Sequence, residues 1–303
     1  MKFSIFQDSR IGKRRSNQDR LAHCYSRESL LLVVADGMGG HPRGEVAAQI
    51  AVRTLTETFE RESLPRLPDP YLFLSWSFEQ AHREIVAYAV ANDMAEVPRT
   101  TCVACVVQDS IAYWAHVGDS RLYVLRDGHV HVRTRDHSRV QMMVDQGLLS
   151  EEDARLHSER NLVYNCLGGD QPPQTEFSRK TTLAVGDIIL LCSDGVWGPL
   201  DDAALVSGFN RDSVATGGAQ TLDLAEARTG ASCDNLSLIA VGWEENYAAD
   251  DSVDVETLTM PIDSHTTVMM AGGESMRQPE TLNEEEIDRA IEEIRAAIKR
   301  NSR

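Results

Sequence analysis

The chain has 303 residues, 42% of them hydrophobic and 25% charged, the profile of an ordinary soluble globular protein with room for one large domain or two small ones. Its 30 Lys and Arg against 47 Asp and Glu leave a net charge of -17, which repels nucleic-acid phosphates and anionic membranes over most of the surface. The N-terminal MKFSIFQDSRIG has one Lys and no apolar run of signal-peptide length, and nowhere do about 18 apolar residues follow one another, so a cytoplasmic protein with no membrane span and no nucleic-acid partner is expected.

In chain order, β-like segments are predicted over 2–8, 21–25 and 30–35, followed by two long helical stretches over 44–61 and 71–91. Further strands are expected over 101–108, 111–117, 121–126 and 129–133, then 187–192, a third helix over 212–228, and a last strand over 236–241. Strands that cluster in groups, separated by only a few residues, favour an α+β fold with antiparallel meanders over a doubly wound parallel sheet. The six cysteines lack a secretory context, so reduced thiols are expected. The one CxxC, Cys102 and Cys105, falls on a predicted strand, where residues three apart point to opposite faces and cannot close on one metal.

Residues 244–303 hold 15 acidic and 6 basic residues, about half of the net charge in a fifth of the chain. From 244 to 282 the only aromatic residue is Tyr247 and little apolar periodicity is present, so an acidic disordered linker is predicted there, outside a catalytic domain of residues 1–243. Ile287, Ala290, Ile291, Ile294 and Ile298 recur at helical spacing behind Asn283, a suitable N-cap, which predicts an amphipathic C-terminal helix within 283–303.

Two segments share one build. LLLVVADGMGG and IILLCSDGVWG each empty a buried-strand run into an Asp-Gly turn, at Asp36 and Asp194. Strands of that kind belong in the middle of a fold, so their ends deliver carboxylates to a rigid, partly desolvated platform that calls for a cation. Asp119 lies in the tight loop of HVGDSRLYVL, Asp234 opens the last strand beside the weaker ligand Asn235, and RRSNQD places Asp19 before a strand with Arg14 and Arg15 upstream. Carboxylates without a His or Cys constellation point to Mg²⁺ or Mn²⁺ and away from zinc.

The ordered series RxxNQD (Arg14, Asn17, Gln18, Asp19), VVADGMGG, TTCVACVV with VGDSRLY, LCSDGVW and DN (Asp234, Asn235) resembles the bacterial metal-dependent Ser/Thr protein phosphatases of the protein phosphatase 2C type, over about residues 5–242. The resemblance implies a central antiparallel β-sandwich flanked on both sides by helix pairs, with the metal site at one end. It implies that Asp36 bridges two ions, that Gly37 adds its backbone carbonyl, that Asp194 and Asp234 complete the second ion's shell, and that Asp119 helps bind a third. By the same resemblance Arg14 binds the substrate phosphate, Asp19 holds a metal-bound water, and the cofactors are two or three Mn²⁺ or Mg²⁺ ions.

Two departures from the family pattern stand out. Gln18 replaces a Glu found in many relatives, and Met38 stands where eukaryotic members carry a His, which removes one general acid; His41 and His137 are the nearest replacements in sequence, each expected as an exposed loop residue. Residues 134–172, with helical pieces and a break at Gly147, lie about where the family has its flap. Expected partners are phosphoserine and phosphothreonine proteins, including an opposing Ser/Thr kinase, and a phosphothreonine-reading protein for the tail through Thr257, Thr259, Thr266 or Thr267. The alternatives are a metal phosphohydrolase of small molecules or diesters, and a catalytically silent scaffold.

Overall fold

The computed structural model describes residues 1–39, 43–209, 213–245 and 256–259. Contacts divide the chain into Met1–Met270 and Ala271–Arg303, and every described residue belongs to the first unit. The chain opens with β1 (Lys2–Arg10), β2 (Asp19–Tyr25), β3 (Ser29–Asp36), α1 (Gly44–Glu62) and α2 (Pro70–Ala91). A meander comes next: β4 (Arg99–Thr100), β5 (Cys102–Gln108), β6 (Ile111–Val117), β7 (Arg121–Arg126) and β8 (His129–Arg133). Then come α3 (Arg139–Asp145), α4 (Glu151–Leu156), and the short strands β9 (Leu167–Gly168), β10 (Glu176–Phe177) and β11 (Thr181–Thr182). The chain continues through β12 (Ile188–Cys192), α5 (Asp194–Trp197), α6 (Asp202–Phe209), α7 (Val214–Thr229), β13 (Leu236–Glu245) and β14 (Glu256–Thr259).

Two large antiparallel sheets form, one in the order β1-β13-β12-β7-β8 and one in the order β10-β6-β5-β3-β2-β14, with β11 also on β6, and β4 and β9 pair as a third, two-stranded sheet. The alternation of β3 explains how they stack. Leu30, Leu32 and Val34 pack with Ile189, Leu191, Ile239 and Val241 from the other sheet, while Leu31, Val33 and Ala35 pack against Ala51, Leu55 and Phe78 of α1 and α2. On the far side Leu190, Cys192, Leu238 and Ala240 meet Leu205, Phe209 and Leu222 of α6 and α7. The layers run helix, sheet, sheet, helix, so both central strands are buried on both faces, which is why their sequences are unbroken apolar runs. The fold is the α+β sandwich expected from the sequence.

Caps fix the helix starts. Asp69 accepts from the N–H groups of Tyr71 and Leu72 with Pro70 in the first turn, and Ser213 caps α7, which therefore begins two residues later than periodicity suggests. Cys102 and Cys105 fall in different cores, on opposite faces of β5, and burial pushes both thiols up. Among the described residues no helix is long and apolar enough to cross a membrane.

One expectation needs correction. Within the stretch read as a disordered linker, Glu256–Thr259 forms β14 and pairs with β2, Thr257 opposite Cys24 and Leu258 opposite His23. An edge strand needs only backbone partners, which composition does not report. β13 also reaches Glu245, two residues past the expected domain end. The helix expected within 283–303, and Thr266 and Thr267, lie outside the described residues.

Candidate active site

The carboxylates converge at one end of the sandwich, and strand register places them. Asp19 opens β2 directly opposite Asp36, the last residue of β3. Asp36 is then tied to the next strand: its N–H donates to Thr101 Oγ1 at 3.2 Å and its carbonyl accepts from Thr100 Oγ1 at 2.8 Å. Across the sandwich, β12 ends at Cys192, and Ser193 donates from Oγ to Asp19 Oδ2 at 2.8 Å. That bond joins the ends of the two sheets and brings the two Asp-Gly segments together. The second Asp-Gly is not a plain turn, because Asp194 starts the one-turn helix α5.

Gly195 is needed for proximity. A Cβ there would lie 2.0 Å from the carbonyl oxygen of Asn235, so only glycine lets the Asp194 turn press against the Asp234–Asn235 segment. Asn235 in turn accepts from the N–H of Gln18 at 2.9 Å and donates to the carbonyls of Ile11 and Ser16, fixing the loop that carries Arg14. Arg14 grips Asp234 with two bonds, Nε to Oδ1 at 2.6 Å and Nη2 to Oδ2 at 2.5 Å. Asp119 is buried, and its carbonyl accepts from Trp197 Nε1 at 2.9 Å, so the Asp119 loop is tied to the same helix that begins at Asp194.

The electrostatics of this cluster are lopsided. Asp36 faces Asp19 across the strand pair and lies close enough to Asp194 for the charges of the three to act on one another. Burial, then the charges of Asp19, Asp194 and Asp119, push Asp36 well above the usual carboxylate range, and burial with Asp194 does the same to Asp119. Burial and Asp234 carry Asp194 up to about 7. Asp19 Oδ1 is fully buried with no hydrogen-bond donor. An orphaned carboxylate oxygen among several carboxylates that disfavour one another's ionisation fits a hard divalent cation, since such a charge would lift both penalties.

Sequence reasoning missed the serines and the aromatic. Ser193 and Ser237 form a small bridge behind Asp19, with the Ser237 N–H on Ser193 Oγ at 3.0 Å; the SD and DNLS strings are their only sequence signal. The Arg121 guanidinium lies 3.5 Å over the Trp197 ring and forks onto buried Asp136 at 2.8 and 2.7 Å. Gln18, the substituted position, donates to Glu45 at 3.2 Å, so α1 supplies a carboxylate beside it.

His137 is buried, contrary to expectation, and His41 lies outside the described residues. The His137 Nδ1 accepts from the Gly118 N–H at 3.2 Å and from Asn165 Nδ2 at 2.8 Å, so Nε2 carries the proton and donates to Glu176 at 3.3 Å. His116, His137 and Glu176 bring their potential ligand atoms within 4.8 Å of one another. The two rings stack at 4.7 Å and 21°, which sends their in-plane lone pairs along nearly parallel lines, and Nε2 of His137 is protonated; this cluster reads as a structural clasp and not a cation site.

Part of residues 134–172 borders the acids. Their base is closed by Arg139 donating to the Leu162 carbonyl and Tyr164 to that of His137, and a cavity of about 510 Å³ is lined by Val140, Val144 and Leu156 on their side and Asp194, Trp197 and Asp234 on the other.

Comparison with known proteins places this geometry. The model of the family described as Protein phosphatase 2C matches residues 6–228. A protein of protein phosphatase 2C type from Streptococcus pyogenes is 30% identical over 244 residues, covering 80% of this chain and 97% of that protein. The serine/threonine phosphatase of S. agalactiae superposes with a TM-score of 0.73 at 29% identity, covering 80% of this chain and all of that one. The catalytic domain of the serine/threonine protein phosphatase PstP, in complex with 2 manganese ions, gives 0.66 at 28%, again over 80% of this chain and all of that one. With its acids at one end of a helix-flanked sandwich and most of its length matched, this chain belongs to the protein phosphatase 2C family.

Proposed function

We propose that this chain hydrolyses phosphoserine and phosphothreonine in proteins, with water as the acceptor and divalent cations as cofactors, opposing a Ser/Thr kinase. The family membership and the relatives bearing the serine/threonine phosphatase name support the reaction. The observation that carries it is the convergence of Asp19, Asp36, Asp194 and Asp234 beside the Arg14 guanidinium.

Asp36, the Gly37 carbonyl, Asp194 and Asp234 would hold two Mn²⁺ or Mg²⁺ ions, and Asp119 would help hold a third. When bound, these ions supply the Lewis acidity that activates a water and offsets charge on the phosphoryl oxygens. The chain does the rest by positioning. Arg14 offers two parallel N–H groups on a planar fork, which matches two oxygens of a phosphate as it matches the carboxylate of Asp234. Asp19, oriented by Ser193, accepts a proton from the attacking water. Met38 has no proton to give, and His137 is engaged on both ring nitrogens, so neither protonates the leaving alkoxide, which takes its proton from a water and departs as the free hydroxyl of serine or threonine.

Release of phosphate from phosphothreonine peptides with Mn²⁺, with Mg²⁺ and with chelator tests this reading. Peptide turnover in either metal and none with chelator is expected; faster turnover of nucleotides or diesters favours a small-molecule phosphohydrolase, and metal binding without turnover favours a silent scaffold.

A further inference from the structure

The cavity beside Asp194 and Asp234 has an uneven charge inventory. Five arginines line it, and three already have a role: Arg14, paired with Asp234, is assigned above to the phosphoryl group, Arg121 is bound to Asp136, and Arg133 to Glu151 and Asp202 at 3.4 Å. Arg155, in the last turn of α4, and Arg160 are exposed, and among the described residues neither guanidinium has a hydrogen-bond or ion-pair partner. In a chain of net charge -17, with Glu151, Glu152 and Asp153 in the first turn of the same helix, two uncommitted guanidiniums at a cavity rim are not a by-product of composition.

The same segment exposes apolar surface. Met142, Leu148, Leu156, Leu162 and Tyr164 are all more than 40% exposed, and Leu156, at 83%, also borders the cavity. The cavity wall itself carries Val140, Val144, Leu156 and Trp197 beside its arginines, a mixed lining that suits an extended polypeptide better than a small polar ester. A volume of about 510 Å³ falls within the range that ligands occupy in binding clefts.

We propose that this cavity holds the substrate chain next to the phosphorylated residue, and that Arg155 and Arg160 select phosphoproteins with a second anion there, a carboxylate or another phosphate. The proposal rests on the phosphoprotein phosphatase reading above. The phosphoryl group sits at the acids and Arg14, the flanking backbone crosses between Trp197 and α4, and neighbouring apolar residues rest on Val144 and Leu156. A guanidinium grips either anion through the same paired N–H geometry.

The test uses the full chain with Mn²⁺ and three phosphothreonine peptides of equal length, flanked by alanines, by aspartates, or by a second phosphothreonine, with p-nitrophenyl phosphate as a fourth substrate. Each protein is scored by the ratio of kcat/KM on the anionic peptides to that on the alanine peptide, so a general loss of activity cancels. A ratio of about three to ten, carried by KM and shrinking as salt is raised, is expected in the wild type. In the Arg155→Gln/Arg160→Gln double variant the ratio should fall to about one, and Arg155→Glu/Arg160→Glu should invert it. Preference for the aspartate peptide alone, or for the doubly phosphorylated one alone, supports the proposal and identifies the anion. Equal kcat/KM on all three peptides overturns it while leaving the phosphatase reading intact, as does a wild-type preference that survives in the double variant. No turnover of any peptide or of the small ester overturns the phosphatase reading itself.

Discussion

Gly118 and His137 hold each other by two bonds, the Gly118 N–H on the His137 ring nitrogen Nδ1 at 3.2 Å and the His137 backbone N–H on the Gly118 carbonyl at 2.9 Å. Gly118 adopts φ +101° with Thr101 packed where a side chain would start, and the next residue is Asp119. The base of the cavity-lining segment and the Asp119 loop are therefore one mechanical piece. His137→Leu removes the acceptor of a buried N–H, which should cost about 1–3 kcal/mol in denaturant unfolding and raise the Mn²⁺ concentration for half-maximal activity. His137→Asn, whose Oδ1 can stand in for Nδ1, should recover much of both. A leucine variant with unchanged unfolding and metal titration would make His137 simple filler.

Asp36 stands opposite Asp19 on its own sheet and feels the charge of Asp194 from the other, so its replacement should be felt by the whole cluster. Asp36→Asn and Asp194→Asn should each lower kcat by at least about 10²-fold, because an amide neither offsets nor bridges cationic charge. Rates on p-nitrophenyl phosphate at saturating Mn²⁺ test this, with metal counts by calorimetry to separate lost binding from lost chemistry.

The raised carboxyl groups make a prediction about metal-free protein. Because Asp194, Asp36 and Asp119 titrate above their unfolded values, their protonated forms favour the fold. That contribution is fully present below about pH 4 and is lost for Asp194 as the pH rises through about 7. With chelator, melting temperature should fall between about pH 5.5 and pH 8. Added Mn²⁺ should stabilise more at the higher pH and release protons at the lower one, which thermal scans and calorimetry in buffers of different ionisation enthalpy can measure.

Arg14 and Arg15 are adjacent, yet only Arg14 faces an acid of the site. Arg14→Ala should raise KM for phosphopeptides by about ten- to hundredfold, and Arg14→Lys should recover little, since a single ammonium cannot reproduce the fork. Arg15→Ala should behave like wild type. The reverse order in steady-state kinetics would place the phosphate grip one residue away.

The sheets were legible because burial on both faces writes itself into sequence: 30–35 and 187–192 could only be central strands, and the residue just past a central strand sits at the end of the core. The two-residue strands β4, β9, β10 and β11 carry no period and were invisible. The acids were readable as motifs, whereas the contact that unites them, Ser193 to Asp19, spans 174 positions and has no local signature. His137 reads as an ordinary loop residue; only the packing of β6 and Asn165 against it reveals a buried clasp.

β14 runs along the outer side of β2, and that side would otherwise present a row of backbone N–H and C=O groups ready to pair with any extended chain. Pairing with β14 occupies that edge over Ala22–Tyr25, which should disfavour stacking of one copy on another. A chain ending at Tyr247 keeps every residue of the site and should hydrolyse a small ester as the full chain does, but it should associate with itself in a concentration-dependent way that a chain ending after Thr259 does not. Sedimentation velocity on the two truncations decides it: equal monomer fractions would mean that the edge is protected by its own charge and twist, and that the backbone pairing of β14 is dispensable for solubility.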